Sequence, residues 1–470
     1  MMSANVDPTP RQANGFVADA GESQGGGGAF IAIFILSLLI PIRPEIGGIR
    51  LDPYRVVLLV ALIPFIAKLF SGKVGRVTST DWAIIIFVIW TIFIYFFHHG
   101  ASKIPYSLVT GAELLGGYLA GRVLIRSVSD YRRFVRYFMI SLLVLLPLAV
   151  FELMTFRMLL AELFGKFTHV IPKVMTERFG LSRVQVSFPH AIHFGFYCSL
   201  MLANIYYLHK RQLLRMLPLM LLLLGMAFMS LSSAAFLSIL LQVLIIAWGK
   251  VTGARWRLLV ILFATIYFSL EMLSNRGPII ILIETMTLNP QTAWWRVHIW
   301  NFGTQSVMNH PLFGIGLYDW VRPVWLAGTV DNYWLVIAMR FGFPGIILLL
   351  WAVGAHVYRV LRVKTPNDEL QALRLGYVIT LIGVLFTLAT VHIWDAINAF
   401  VMFYFGAGVF LYINPSNETA VDEIETPDQQ PDGGTRQFAR SSGTGRGQPL
   451  PYSRSTFKGR ARQNPPESNE

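Results

Sequence analysis

The stretch TVDNYWLVIAMRFGFPGIILLLW, residues 329–351, is apolar enough for a lipid bilayer, yet it opens with Asp331 and Asn332 and keeps Arg340. In one unbroken helix Arg340 would stand about 900° of rotation beyond Asp331, half a turn out of phase, so the two side chains would face opposite ways. The sequence RFGFPG then offers a break, with Gly342 and Pro344 just after the arginine. The reading is a span that begins near Phe341, preceded by an interfacial lead-in from Asp331 to Arg340 that keeps both charges out of hydrocarbon. An Asp ahead of an apolar helical run also reads as a helix cap.

The rest of the chain agrees with a membrane setting. Of its 470 residues 54% are hydrophobic and 14% charged, where a soluble protein carries roughly 25% charged residues. The mean hydropathy is +0.54. The net charge of +13 is spread in short clusters between apolar runs, the pattern of loops on a membrane protein and not of a nucleic-acid-binding face. One cysteine, Cys198, sits in an apolar run and reads as a small buried hydrophobe.

Residues 1–28 are polar and Gly-rich, and no basic segment precedes the first apolar run to make a cleavable signal. Residues 414–470 are rich in Pro, Gly, Ser and charge and read as a solvated tail; contact of its basic end with anionic lipid is the alternative. Between the tails, residues 29–413 hold about twelve apolar runs of spanning or near-spanning length: 29–42, 53–70, 82–98, 105–122, 134–156, 190–208, 213–230, 234–249, 257–271, 336–357, 372–391 and 394–413. The expected fold is all-α, a polytopic integral membrane protein.

With the N-terminus in the cytoplasm, every even-numbered loop is basic: Lys73 and Arg76; Arg126, Arg132 and Arg133; Lys210, Arg211 and Arg215; Lys250, Arg255 and Arg257; Arg359, Arg362 and Lys364. The loops near Ser232 and His392 on the other side carry no Lys or Arg. The positive-inside rule places both termini in the cytoplasm. Two outer loops break the rule. Residues 157–189 carry Arg178 and Arg183, followed by His190 and His193 in an H-x-x-H spacing with no further ligands nearby for a metal. The loop 272–335 runs about 60 residues and holds six of the twelve tryptophans, residues that favour membrane interfaces and also stack on sugars. Long loops are uncommon unless functional. AWWRVHIWNFG has helical spacing, with Trp295 and Trp300 flanking Arg296, and HPLFGIGLYDW marks a turn at Gly314 and Gly316.

Four segments in order carry a resemblance: ERFGLSRVQVSFPHAIHFGFYCSL, MSLSSAAFLSILLQ, WWRVHIWNFGTQSVMNHPLFGIGLYDW and DNYWLVIAMRFGFPGIILLL. Together they are similar to the O-antigen ligase and polysaccharide polymerase superfamily over roughly residues 30–412. The pattern is an arginine before a Pro-containing helix start, a Ser-rich hairpin, R-x-x-x-W, P-x-x-G-x-G, and H/D-N-x-x-L before a glycine-bearing helix. The resemblance implies a fold like the C class of membrane glycosyltransferases with a large periplasmic loop, in the bacterial inner membrane. It implies transfer of a glycan from an undecaprenyl-diphosphate-linked oligosaccharide at the outer face, without nucleotide sugar, metal or cofactor. The acceptor is a second lipid-linked glycan (polymerase) or lipid A core (ligase). A chain-length regulator is the protein partner of a polymerase; membrane lipids surround it, and no nucleic acid is involved. The chain departs from the pattern at Ser233, where an arginine is usual, and at Asp331, where ligases place a histidine. The D-N-x-W-L form favours a polymerase.

Such a reaction needs cations for a diphosphate leaving group and a base for the acceptor hydroxyl. The resemblance marks Arg183 and Arg296 for the diphosphate and Asp331 for the base, with Asn332, His190, Arg340 and Trp300 as further substrate-binding residues. Arg183 and Arg296 are expected to converge and to hold the Asp331 pKa low. A glycan or lipid transporter is the rival class. It predicts two halves with matching broken helices, whereas the polar motifs here gather on one outer side.

Overall fold

Every one of the twelve apolar runs folds as helix. The computed structural model describes residues 26–46, 49–170, 174–275, 278–285, 290–363, 365 and 368–413; the expectations for the tails fall outside these residues, except that helix already begins at Gly26 and not at 29. Among the described residues nine helices are long and apolar enough to cross a membrane, and Gly27–Leu38 and Leu213–Met229 are shorter apolar helices. The twelfth run, Ile104–Leu124, has the length, but four glycines, Glu113 and Arg122 dilute its apolar character. The molecule is an all-α, polytopic membrane protein. The described residues lie within one unit, Met1–Ile424.

Small residues fix the central helix pair. A side chain at Gly117 would meet the Ala399 carbonyl at 2.6 Å, and one at Gly121 the Phe403 carbonyl at 2.0 Å. This glycine pair, spaced four apart, lets Ile104–Leu124 lie directly on Ala396–Ala407, close backbone approach being a main source of helix association in lipid. The register runs parallel, 117 beside 399 and 121 beside 403. Continued back one turn, it sets Glu113 beside Asp395.

The opening stretch folds as a broken helix. Tyr333–Arg362 is interrupted at Gly342, which has φ 67° and ψ −172°. Pro344 follows within the first turn of the second half, where a missing N–H costs nothing. A break at membrane depth frees backbone groups that must find partners. Here the Pro311–Gly316 loop supplies most of them. The N–H of Ile315 donates to Met339 O at 2.8 Å, that of Gly316 to Arg340 O at 3.0 Å, and that of Phe343 to Pro311 O at 2.7 Å. The Trp90 indole donates to Phe341 O at 2.8 Å. The P-x-x-G-x-G motif therefore has a structural cause. A side chain at Gly314 would stand 2.5 Å from the Arg340 backbone, and one at Gly342 2.3 Å from Leu312 O.

The large loop is more than short surface helices. Pro290–Asn309 is a 20-residue helix. Ile299, Val307, Ile315, Trp320 and Leu326 form a small apolar core with Leu335 and Met339 of the broken helix.

Candidate functional site

Loops from one end of the bundle enclose a pocket of about 810 Å³. Its walls include Arg43 and Arg50, Tyr106, His190 and His193, Tyr318 to Trp320, Asp331, Arg340, and His392, Trp394 and Asp395. Residues far apart in the chain thus face one space, and three of the sequence-predicted polar residues, His190, Asp331 and Arg340, share it. The helical-phase argument that put Asp331 and Arg340 on opposite faces fails for a physical reason. Asp331 lies ahead of the helix, which starts at Tyr333, so helical rotation does not govern its direction.

Asn332, and not Asp331, caps that helix: its Oδ1 accepts the Leu335 N–H at 3.0 Å. The Asp331 side chain is released for other work. It retains 40% of its accessible surface, and its Oδ2 lies 3.9 Å from Arg296 Nε. The expectation of a low Asp331 pKa is corrected. Burial raises it above 3.8, and Arg296 offsets that only in part. A single guanidinium at 3.9 Å, beyond hydrogen-bond range, does not outweigh desolvation.

Arg296 is the arginine beside this carboxylate, and Arg178 links it electrostatically to Arg183. The Glu177–Arg178 and Leu181–Ser182 strands form a hairpin whose turn residues Phe179 and Gly180 both have positive φ, the requirement of a tight two-residue turn. Past the turn, the Ser-rich hairpin anchors the chain. Arg178 Nη1 donates to Leu231 O at 2.8 Å, Arg183 Nε to Ser230 O at 3.4 Å, and the Val184 N–H to Met229 O at 3.1 Å. Arg178 is an electrostatic neighbour of both Arg183 and Arg296. Arg183 is pushed down to about 10, by burial first and then by Arg178. Arg296 is lowered by burial and Arg178, with Asp331 acting the other way. Crowded, desolvated guanidiniums gain from an incoming anion. Arg178 was seen in the sequence but given no role.

His190 caps its own helix, Nδ1 accepting from the Ile192 N–H at 3.0 Å. Burial and then Arg183 lower it to about 4, so the ring is neutral. Arg183 and Arg296 stand behind the pocket wall and not among its lining residues. Trp300 packs against the apolar core of the large loop and does not line the pocket.

The sequence reading missed a second group. Arg43 Nη2 meets Asp395 Oδ2 at 2.5 Å, and Arg55 Nη2 meets Asp395 Oδ1 at 2.9 Å and Glu113 Oε2 at 3.1 Å. Asp52 lies 3.4 Å from Arg43 and 3.3 Å from Arg55, and the Tyr54 hydroxyl donates to Glu113 at 3.1 Å. Three acids thus share two arginines. Asp395 has φ 54° and gives its helix no side-chain cap, because both oxygens are committed to arginine. Beside it, Trp394 keeps 40% of its surface and its ring meets that of His193 at 4.0 Å. The Nδ1 atoms of His193 and His392 are buried without a hydrogen-bond partner among the described residues. His392 is held neutral, pushed down to about 3 by burial and then by Arg340. Neutral imidazoles beside an exposed indole suit sugar hydroxyls and a sugar face. The signals were present: Arg43 and Arg50 on an outer loop break the charge rule as Arg183 does, and Glu113 is a carboxylate inside a span.

Among the described residues no cluster of three or more His, Cys, Asp or Glu is placed to hold a metal ion.

A helix bundle of membrane length with a charged pocket at one end is a multi-pass membrane protein. Residues 218–350 match the family model described as O-antigen ligase, which supports an assignment to the O-antigen ligase and polymerase family and an enzyme of that glycosyltransferase-like class. The match takes in the Ser-rich hairpin, R-x-x-x-W, P-x-x-G-x-G and D-N-x-W-L, and begins after Arg183 and His190. No curated protein matches the chain.

Proposed function

We propose that the protein is a polysaccharide polymerase. It transfers glycan from an undecaprenyl-diphosphate carrier to a hydroxyl of a second lipid-linked repeat unit, at the periplasmic face and without a metal ion. The observation that carries this reading is Asp331: uncapped, part-exposed to the pocket, raised in pKa and 3.9 Å from Arg296. A carboxylate with a raised pKa is, in its ionised form, a better proton acceptor. Arg296, beside Asp331, and Arg183 supply positive charge to the leaving diphosphate from beyond the pocket lining, with Arg178 as their common neighbour. Arg340 and Arg43 line the space between, and Trp394 with His193 and His392 receives the acceptor sugar.

The test is polymer length on carrier-linked glycan, measured against protein level in membranes, for wild type and Asp331→Asn. Loss of chain extension with normal protein level supports the reading; full-length polymer from the variant removes Asp331 from the chemistry. The matched description favours ligation as a second reading. Glycan appearing on lipid A core, with carrier-linked chains unextended, selects the ligase.

A further inference from the structure

We propose that the crevice between helices Val128–Thr155 and Leu213–Met229 binds one anionic diacyl phospholipid, its phosphate held by Arg136 and Arg215. This crevice lies at the end of the bundle opposite the pocket. Val128–Thr155 carries Arg136 near its start and Glu152 near its finish, where the carboxylate accepts the N–H groups of Gln185 and Val186 beside the arginine hairpin. The crevice has a volume of about 920 Å³.

Its chemistry changes along its length. The mouth is basic, and the interior is apolar with Leu143, Leu222 and Met226 on its walls. Gly225 also lines it, and a side chain there would meet nothing within 4 Å, so the groove has room for an acyl chain. At the mouth Arg132 is already paired with Glu369 at 2.6 Å. Arg136 and Arg215 form no ion pair among the described residues, and Arg215 donates only to the neutral Gln212 amide, at 3.2 Å. Two exposed guanidiniums above an apolar groove match the amphipathic form of an anionic phospholipid. Arginines that served only to orient the chain would need no groove beneath them.

The experiment uses the full-length protein in mild detergent. Thermal unfolding is followed with added dioleoyl-phosphatidylglycerol, dioleoyl-phosphatidylcholine, or glycerol 1-phosphate, which has the charge and no chains. Phosphatidylglycerol is expected to raise Tm by about 2 °C or more, with little effect from the other two. Arg136→Gln with Arg215→Gln, and separately Gly225→Leu, should each remove at least half of that rise. Equal stabilisation by phosphatidylcholine or by glycerol 1-phosphate overturns the proposal, as does a full phosphatidylglycerol effect in both variants. Should the variants not fold, native mass spectrometry of the wild type decides: one retained phosphatidylglycerol supports the site, and none retained refutes it.

Discussion

The Asp331 carboxylate stands 3.9 Å from Arg296 Nε and leaves the capping of the following helix to its neighbour Asn332. Charge and capping are thus held by different residues, so they separate by mutation. Asp331→Asn should lower glycan transfer by about 10²-fold or more while the protein still reaches the membrane. Its pKa is raised above 3.8 by burial, so its contribution to stability is fully present below 3.8 and lost as pH rises through the folded value. The Asn variant should therefore match or exceed wild type in Tm at neutral pH, and fall behind as the pH drops. Wild-type activity should rise with pH through that same titration. A flat profile would sink the general-base role.

Gly342→Ala places a side chain 2.3 Å from Leu312 O at a positive φ. The strain is on the order of 1–3 kcal/mol before the clash is counted. Tm should drop sharply and Arg340 should leave its position. Pro344→Ala should change Tm little, because the break belongs to Gly342. Thermal unfolding of the two purified variants checks both statements.

Asp395→Ala removes one of the two carboxylates that Arg43 and Arg55 share, leaving Asp52 to both. Removing one member of a buried ion network typically costs about 3 kcal/mol or more. Membrane protein level should fall well below wild type, and Asp395→Asn should recover part of it by keeping, through its amide oxygen, a hydrogen bond to one of the two arginines. Equal levels for wild type and the Ala variant would show that the cluster does not hold the loops together.

Trp394→Ala and Trp300→Ala should part company. Trp394 lines the pocket with 40% of its surface open, so its loss should reduce transfer more than Tm. Trp300 packs into the loop core, so its truncation should lower Tm first, by roughly 3 kcal/mol of stability. Activity and unfolding measured on the same preparations separate the two.

Reporter fusions after Pro311 should read as periplasmic, and after Arg362 as cytoplasmic. The basic loops on one side of the chain motivate this orientation. The reverse pattern would move the pocket to the cytoplasmic face and remove the carrier-linked substrate from reach.

The spans were legible because lipid forces every backbone group into a helix, and hydropathy records that directly. The break at Gly342 was legible for the same reason: Gly and Pro stood where an arginine needed to leave hydrocarbon. What held the break was not. The bond between Gly316 and Arg340 O appears in the sequence only as a glycine pattern. The direction of Asp331 was misread because helical phase was extended past the helix start. The Arg43–Asp395 pair joins residues 352 apart, and no local pattern brings such residues together. Glu113 meets Asp395 only through the register set by Gly117 and Gly121. Trp300 was singled out by motif spacing, which does not distinguish a ring facing a ligand from one facing its own loop.

Three main-chain bonds fasten the Pro311–Gly316 loop to the broken helix: Ile315 to Met339, Gly316 to Arg340 and Phe343 to Pro311. None of those three bonds requires a pocket side chain. Tyr318 and Arg340 can therefore be exchanged one at a time while these fastenings persist. The frame rests on glycines and main-chain bonds, so the shape of the pocket and the chemistry of its lining can be altered separately.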